Sequence, residues 1–481
     1  MSPTDHAASG EDVVTGRLSQ HVAELRDGDL PDVVRRAARW SILDTIGVTL
    51  LASTQAEGVD ALVGLLAGSG GNPESTVIGF GHRVPAWTAA LANGAMSRAM
   101  MFDDYHTHKT HPGSTTVTAA LAVAERMGDV SGRELVTAVA IGNDLTCRMG
   151  SSIPLDVAKS RGWLTTDVFG TFGATAACAR LLRLSVDEVR HAFGIALFEA
   201  AGTREAYSGH SESGRSAMMQ AMSTGFRSQG AVFAALMAQA GITGPEDTFE
   251  GATGLYPVYF GGPADRSELL DELGERFASV EMGIKPSPGT WHAFTHVDTV
   301  RGLMRDNGIT ADDIVELEVF VTSEGMRAFT PLAVKRHPPT SQDANHSSPY
   351  LIAAAVHHGM VTFRDLTAEG YKDKRVGAIA DRVVPIIDPE FERSGEVGPG
   401  EAGPARVRIT LHDGSQFERD ETVPYGHPQN PISEGDLIAK FRSCAAFAAR
   451  PLDERTIDRM IDTVLHLDDV ADVSTILGRP D

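Results

Sequence analysis

A chain of 481 residues with a 42% hydrophobic fraction is long enough for two or three domains and apolar enough to bury sizeable cores, which excludes a disordered protein. Its net charge of −22 argues against bulk attraction to nucleic acid or an anionic membrane surface, although an anionic substrate in a locally basic pocket stays compatible with it. The three cysteines, Cys147, Cys178 and Cys444, form no close pair, which argues against a disulfide framework, a zinc knuckle or an iron–sulfur cluster.

In chain order, residues 1–14 read as a disordered tail. The stretch Met1 to Thr15 is polar and acidic, without the basic and apolar regions of a leader, so a cytoplasmic protein is expected. No run approaches the roughly 18 uninterrupted apolar residues of a membrane span. Leu30-Pro31 opens a helix expected to carry Val33, Val34, Ala37, Trp40, Ile42, Leu43 and Ile46 towards a core. Ser131-Gly-Arg-Glu134 and Ser185-Val-Asp-Glu188 are capping boxes, each opening an apolar-periodic helix, one to about Met149 and one to about Ala201. Small residues recur through Gly170-Thr-Phe-Gly-Ala-Thr-Ala-Ala-Cys178 and would let helices approach closely. Residues 15–280 thus read as a helical domain.

The pattern then changes to α+β over 281–420. Ile314-Val-Glu-Leu-Glu-Val-Phe-Val321 alternates with period two, with Val315, Leu317, Val319 and Val321 on one face. Ala405-Arg-Val-Arg-Ile-Thr-Leu411 alternates likewise, and His412-Asp413-Gly414-Ser415 supplies a hairpin turn. Helical runs lie near His296 to Asn307 and Pro349 to Gly359, and Pro389 to Pro404 reads as a mobile loop. Residues 421–481 return to helix, with Leu437, Ile438, Phe441, Ile457, Met460, Ile461 and Leu465 on one face, and are expected to rejoin the first domain. The fold class is mainly α with a smaller α+β domain.

The segment Met101-Phe-Asp-Asp-Tyr-His-Thr-His-Lys-Thr-His-Pro-Gly-Ser114 gathers carboxylates, imidazoles, a phenol, an ammonium and hydroxyls more densely than packing explains. Pro112-Gly113 marks a loop opening onto the apolar run from Val117 to Ala124, and a helix N-terminus there would favour a substrate carboxylate, with Ser114 a candidate contact. His111 suits proton transfer beside a carboxylate, because imidazole titrates near neutral pH. Asp103 and Asp104 could orient His111, hold a hydroxyl, or split their pKa values so that one is a poised base. Tyr105 can donate a hydrogen bond or act as an acid. His106-x-His108-x-x-His111 can be drawn as a metal site, but the spacing is poorly diagnostic and no metal is expected. A dinucleotide fold, a P-loop and a nucleophile elbow are excluded. No strand leads into Gly-x-Gly-x-x-Gly, and Gly209-His-Ser-Glu-Ser213 is not Gly-x-Ser-x-Gly.

Asp103-Asp104 followed by Thr110-His111-Pro112 resembles the Asp-Asp plus His-Pro signature of the MmgE/PrpD family, which contains 2-methylcitrate dehydratases, cis-aconitate decarboxylases and iminodisuccinate epimerases. Four further stretches follow in the family's order: Gly162-Trp163 with Phe169-Gly-Thr-Phe-Gly-Ala174, Ala234-Ala-Leu-Met-Ala-Gln-Ala-Gly-Ile-Thr-Gly-Pro245, Ile284-Lys-Pro286, and Gly426-His-Pro-Gln-Asn-Pro431. The resemblance implies a discontinuous helical domain, an α/β lid domain, a homodimer with the site between domains, a small carboxylate substrate, and no cofactor. It places His111 in the active site and Lys285 on a substrate carboxylate. His292, shortly after Lys-Pro, is a second proton-transfer candidate, with His296 a helix cap and Arg327 and His346 weaker binding guesses. The chain departs from the family at Met101, where an acid is common, at Tyr105, where a Thr is common, and at Leu164, where the decarboxylases carry a His. At the usual Lys position stands Gln220, or Arg215 in another register. These departures argue for a repurposed pocket. A dehydratase-type lyase is the leading reading, with an epimerase or decarboxylase beside it and a catalytically impaired binding homologue as the alternative of another class.

Overall fold

The computed structural model describes residues 14–108, 110–205, 218–323, 325–394 and 404–477. The chain divides into two compact units. Among the described residues, the first comprises 14–99, 103–282 and 437–477, and the second 100–102 and 283–436.

The first unit is helical. Residues 1–13 of the expected tail lie outside the described residues, while Val14 is buried at the start of helix α1 (Val14–Glu24). Helix α2 (Asp32–Gln55) follows Pro31, and its buried stripe runs Val34, Ala38, Ser41. The expected inward face is corrected at Val33, which is 49% exposed. The stripe is set one residue later, and only from Ser41 to Ser53 is the helix buried on every side.

Helices α3 (Ala86–Ala99), α4 (Pro112–Met127), α5 (Gly132–Ser151), α6 (Thr165–Leu181), α7 (Val186–Glu199) and α8 (Met219–Gln239) form the rest of this core. The capping boxes close as their spacing requires. The Glu134 N–H donates to Ser131 Oγ and the Ser131 N–H to Glu134 Oε2, and Ser185 and Glu188 repeat the exchange. Helices α5 and α6 approach through glycines: a Cβ on Gly142 would lie 2.6 Å from the Gly173 carbonyl oxygen, and one on Gly173 would collide with the Gly142 carbonyl. The C-terminal helices Glu434–Ala445, from Leu437 onward, and Glu454–Leu465 bury Leu437, Phe441, Ile457, Met460, Ile461 and Val464 in the same unit. Lys440 Nζ lies 2.5 Å from Asp44 Oδ1, a fully buried ion pair. No single helix among the described residues is long and apolar enough to cross a membrane.

The second unit holds a four-stranded sheet, β1 (Ile314–Val321), β2 (Val383–Ile387), β3 (Ala405–Leu411) and β4 (Gln416–Glu421), in the order β2-β1-β3-β4. The β2–β1 pair is parallel and the others antiparallel. Val315 is 44% exposed, against the sequence expectation, because the ladder with β3 shifts between Ile314 and Glu316 and so turns Val315 outwards. Gly414 takes φ 85° in the β3–β4 turn, where Leu411 N–H donates to the Ser415 carbonyl. Helices α9 (Trp291–Asn307) and α10 (Ser348–His358) pack on each other, and α9 covers β3 and β4. The segment expected as a loop from Pro389 to Pro404 begins as the helix Pro389–Ser394, and 395–403 lie outside the described residues.

Candidate functional site

Helix α4 starts at Pro112, whose missing N–H suits a first helical position. His111 stands at its N-cap without a side-chain cap bond. Its Nδ1 instead faces two oxygens, the Asp104 carbonyl at 2.8 Å and Asp103 Oδ2 at 3.0 Å. A carbonyl oxygen only accepts, so Nδ1 carries the hydrogen, and the lone pair of the neutral ring is at Nε2. The His111 side chain is 16% exposed, whereas Asp103 is buried.

Asp103 is held from several sides. The Ser114 hydroxyl donates to Oδ2 at 2.6 Å, and Arg98 Nε lies 3.8 Å from the same oxygen. Arg98 Nη1 is also 3.8 Å from Asp167 Oδ1, so one buried guanidinium stands between two buried carboxylates. Asp167 sits in the first turn of α6, where burial raises its pKa and Arg98 opposes the rise.

Asp104, next to Asp103 in the chain, is fully buried. Ser41 Oγ donates to Oδ2 at 2.6 Å and the Gly113 N–H to Oδ1 at 3.0 Å, while Asn143 Nδ2 donates to Ser41 at 3.1 Å. Burial first, then the Asp44 carboxylate, push the Asp104 pKa up to about 8, against the pull of the Ser41 and Gly113 hydrogen bonds. Only glycine fits at 113, because a Cβ there would collide with Asp104 Oδ2 and lie 2.6 Å from Ser41 Oγ. At this helix N-terminus, expected to favour a substrate carboxylate, the Gly113 N–H donates to Asp104 and the Ser114 hydroxyl to Asp103.

Tyr105, His106 and Thr110 are buried, and Thr107 and His108 half-buried. Tyr105 and His106 form a short strand, and the His106 N–H donates to the Thr110 carbonyl at 2.8 Å. The His106 ring stacks on His108 with centroids 5.3 Å apart, and burial, then His108, lower its pKa to about 3. Leu164 is the N-cap of α6 and offers neither a side-chain cap nor a proton.

In the second unit, Lys285 is 2% exposed and its Nζ donates to the Met101 carbonyl at 2.7 Å. Asn345 Nδ2 donates to the Met100 carbonyl at 3.0 Å. Both hold the segment 100–102, in which Met101 takes a left-handed φ of 51° and from which the chain continues into Asp103. His296 is not the helix cap that the sequence suggested. It lies in the second turn of α9, where Nε2 pairs with the Phe320 carbonyl at 2.9 Å and fastens the helix to β1, while the N-cap is Thr290. His346 is half-buried with Nδ1 against the Gln342 carbonyl at 2.9 Å, and desolvation chiefly lowers its pKa to about 4. Arg327 is exposed in a short 3₁₀ turn. His292 falls in the first turn of α9 and Gln220 in the first turn of α8, their side chains outside what is described, and Arg215 lies outside the described residues altogether.

Sequence reasoning missed Arg98, Asp167, Ser41, Asn143 and the Asp44–Lys440 pair. A usable signal existed for two of them: Arg98 is the sole charge in the Ala-rich helix Ala86–Ala99, and Asp44 the sole charge between Trp40 and Ala52.

A mainly helical unit with a carboxylate–imidazole pair at a helix start is joined in one chain to an α+β unit. The chain belongs to the MmgE/PrpD family: the family's N-terminal domain matches residues 16–267 and its C-terminal domain residues 288–466. It is 27% identical to the cis-aconitate decarboxylase-like protein oryM of Aspergillus oryzae, with 99% of both chains covered. It is 26% identical to the cis-aconitate decarboxylase of Mus musculus, covering 96% of this chain and 92% of that one. It is also 26% identical to the 2-methylcitrate dehydratase of Salmonella typhimurium, with 89% of each covered. Decarboxylase and dehydratase are both lyase-type activities.

Proposed function

We propose that the protein is a lyase acting on a small carboxylic acid, and that His111 Nε2 removes the proton alpha to a substrate carboxylate. The pair of oxygens at His111 Nδ1 carries this reading, because it fixes the neutral tautomer with its lone pair on Nε2, the form a general base needs. As the ring takes up the proton, the Asp103 carboxylate at 3.0 Å stabilises the imidazolium, and Ser114 and Arg98 keep Asp103 in place. In the dehydratase form, the C–H electron pair becomes the new double bond, the β C–O bond breaks, and the hydroxyl leaves as water once protonated. Tyr105 and His292 are candidates for that proton, and Asp104, carried as a neutral acid at pH 7 by its raised pKa, is a further reservoir. Lys285 is the candidate cation for a substrate carboxylate, with Gln220 and Arg215 candidates for the remaining substrate groups. These steps use side chains alone, and the resemblance adds a homodimer to the proposal. Relatives named for 2-methylcitrate and cis-aconitate support a polyacid-like substrate, while Leu164 favours one with a less polar portion.

Decarboxylation is the second reading. Relatives named cis-aconitate decarboxylase align over 96–99% of this chain, against 89–93% for those named 2-methylcitrate dehydratase. There, carbon dioxide leaves first and a protonated His111 delivers a proton to the carbanion. An epimerase would return the proton to the opposite face of the same carbon. Proton NMR of the enzyme with 2-methylcitrate, cis-aconitate, iminodisuccinate and simpler hydroxy and unsaturated diacids separates the three by product. An alkene or hydrated acid supports the dehydratase, loss of a carboxylate the decarboxylase, and inversion alone the epimerase. No turnover of any acid by folded protein would favour a binding homologue.

A further inference from the structure

We propose that His357, His358 and Asp373, in the second unit, form a site for a divalent transition-metal ion of the Zn²⁺ type. One ligand atom from each of the three residues lies within 4.8 Å of the others, a spread that small side-chain rotations close onto one ion. The two imidazoles end helix α10, just before Gly359, and Asp373 is the N-cap of the neighbouring helix Lys374–Ala380. Helix α10 packs directly on that helix, so the three side chains meet at a junction the fold already builds.

The site has the supporting contact that histidine ligands need. His358 Nδ1 lies 2.7 Å from Asp365 Oδ1, so the ring donates there and its lone pair for an ion is on Nε2. Asp365 is buried, and its other oxygen is fixed by the Thr362 N–H at 2.7 Å and the Thr362 hydroxyl at 2.9 Å. A held carboxylate behind an imidazole fixes the tautomer and raises the basicity of the ligand. Asp373 Oδ1 accepts the Arg375 N–H at 2.7 Å, which leaves Oδ2 as the ligand oxygen. His357 and His358 stand with ring centroids 4.5 Å apart and tilted by 52°, so neither ring stacks flat over the other. The end of α10 adds the partial negative charge of its last carbonyls, which favours a cation. Two nitrogens and one carboxylate oxygen suit Zn²⁺, Co²⁺ or Ni²⁺ rather than Ca²⁺ or Mg²⁺, with water completing the shell. The ion would clasp the end of α10 to the start of Lys374–Ala380 and stabilise the second unit.

This site shares no residue with the proposed proton-transfer chemistry, so the two stand or fall separately. The test is calorimetric titration of the metal-stripped full chain with ZnCl₂, alongside thermal melts with and without Zn²⁺. The expected result is one Zn²⁺ fewer bound by His357→Ala/His358→Ala than by wild type, and loss of the Zn²⁺-dependent rise in melting temperature. Asp373→Asn, which keeps a helix-capping side chain, should bind about tenfold more weakly or worse, and His111→Ala should retain the site. A wild-type chain that takes up no Zn²⁺, or the same stoichiometry and melting shift in wild type and in both sets of ligand variants, would overturn the proposal.

Discussion

Asp104→Asn should make the protein more stable relative to wild type as pH rises. Asp104 is fully buried, and burial with the Asp44 carboxylate raises its pKa from 3.8 to about 8. Between those values the folded chain holds a proton that the unfolded chain has released. The favourable contribution is therefore full below about pH 3.8 and is lost as pH rises to about 8. Each pH unit in that window costs wild type up to about 1.4 kcal/mol, so between pH 5 and pH 7 the loss is at most about 2.7 kcal/mol. The variant has no titrating group at this position. Its Oδ1 can still accept from Gly113, and its amide can donate to Ser41, so the packing stays close to that of wild type. Urea unfolding of both chains at pH 5, 6 and 7 reads the difference directly, because the other titrating groups are shared and cancel. A difference in stability that stays constant across the three pH values would refute the reasoning, since it would mean that folded Asp104 is already ionised at pH 5.

Gly113→Ala should lower stability by about 1–3 kcal/mol and abolish turnover, because the new methyl group meets Asp104 Oδ2 and Ser41 Oγ; denaturant melts and a turnover assay check both. Lys440→Met should cost about 3–5 kcal/mol in the same melts by removing the ammonium 2.5 Å from buried Asp44, and Asp44→Asn in the same chain should recover most of it. Asp103→Asn should reduce kcat by about 10²- to 10⁴-fold with little change in KM, since it removes the carboxylate facing His111 Nδ1 and leaves the imidazole itself unchanged.

The legible parts of this fold are those written in local chemistry. The boxes at Ser131–Glu134 and Ser185–Glu188 each close within a single turn, and the alternation of Ala405–Leu411 needs only its own residues and a Gly414 turn. Strand β2 was not foreseen, because Pro385 stands at its centre; it is tolerated there because β2 is the edge strand of the sheet. The exposure of Val315 depends on a register shift against a strand some ninety residues later, for which its own segment carries no sign. The site divides in the same way. Asp103, Asp104, His111 and Ser114 stand out because they crowd one loop. Ser41 and Arg98 reach that loop from other helices, 63 residues away in the case of Ser41, with Asn143 behind Ser41 and Asp167 behind Arg98, and only the packed core shows that they serve it.

In the proposed chemistry His111 exchanges a proton with a carbon next to a carboxylate. The measurement that tests it most directly is deuterium incorporation from deuterium oxide into the carboxylate substrates, followed by proton NMR for wild type and for His111→Ala. Label is expected at an alpha carbon with wild type, and exchange at least about 10²-fold slower with the variant. Equal exchange rates for the two folded proteins, or none with any acid, would contradict it.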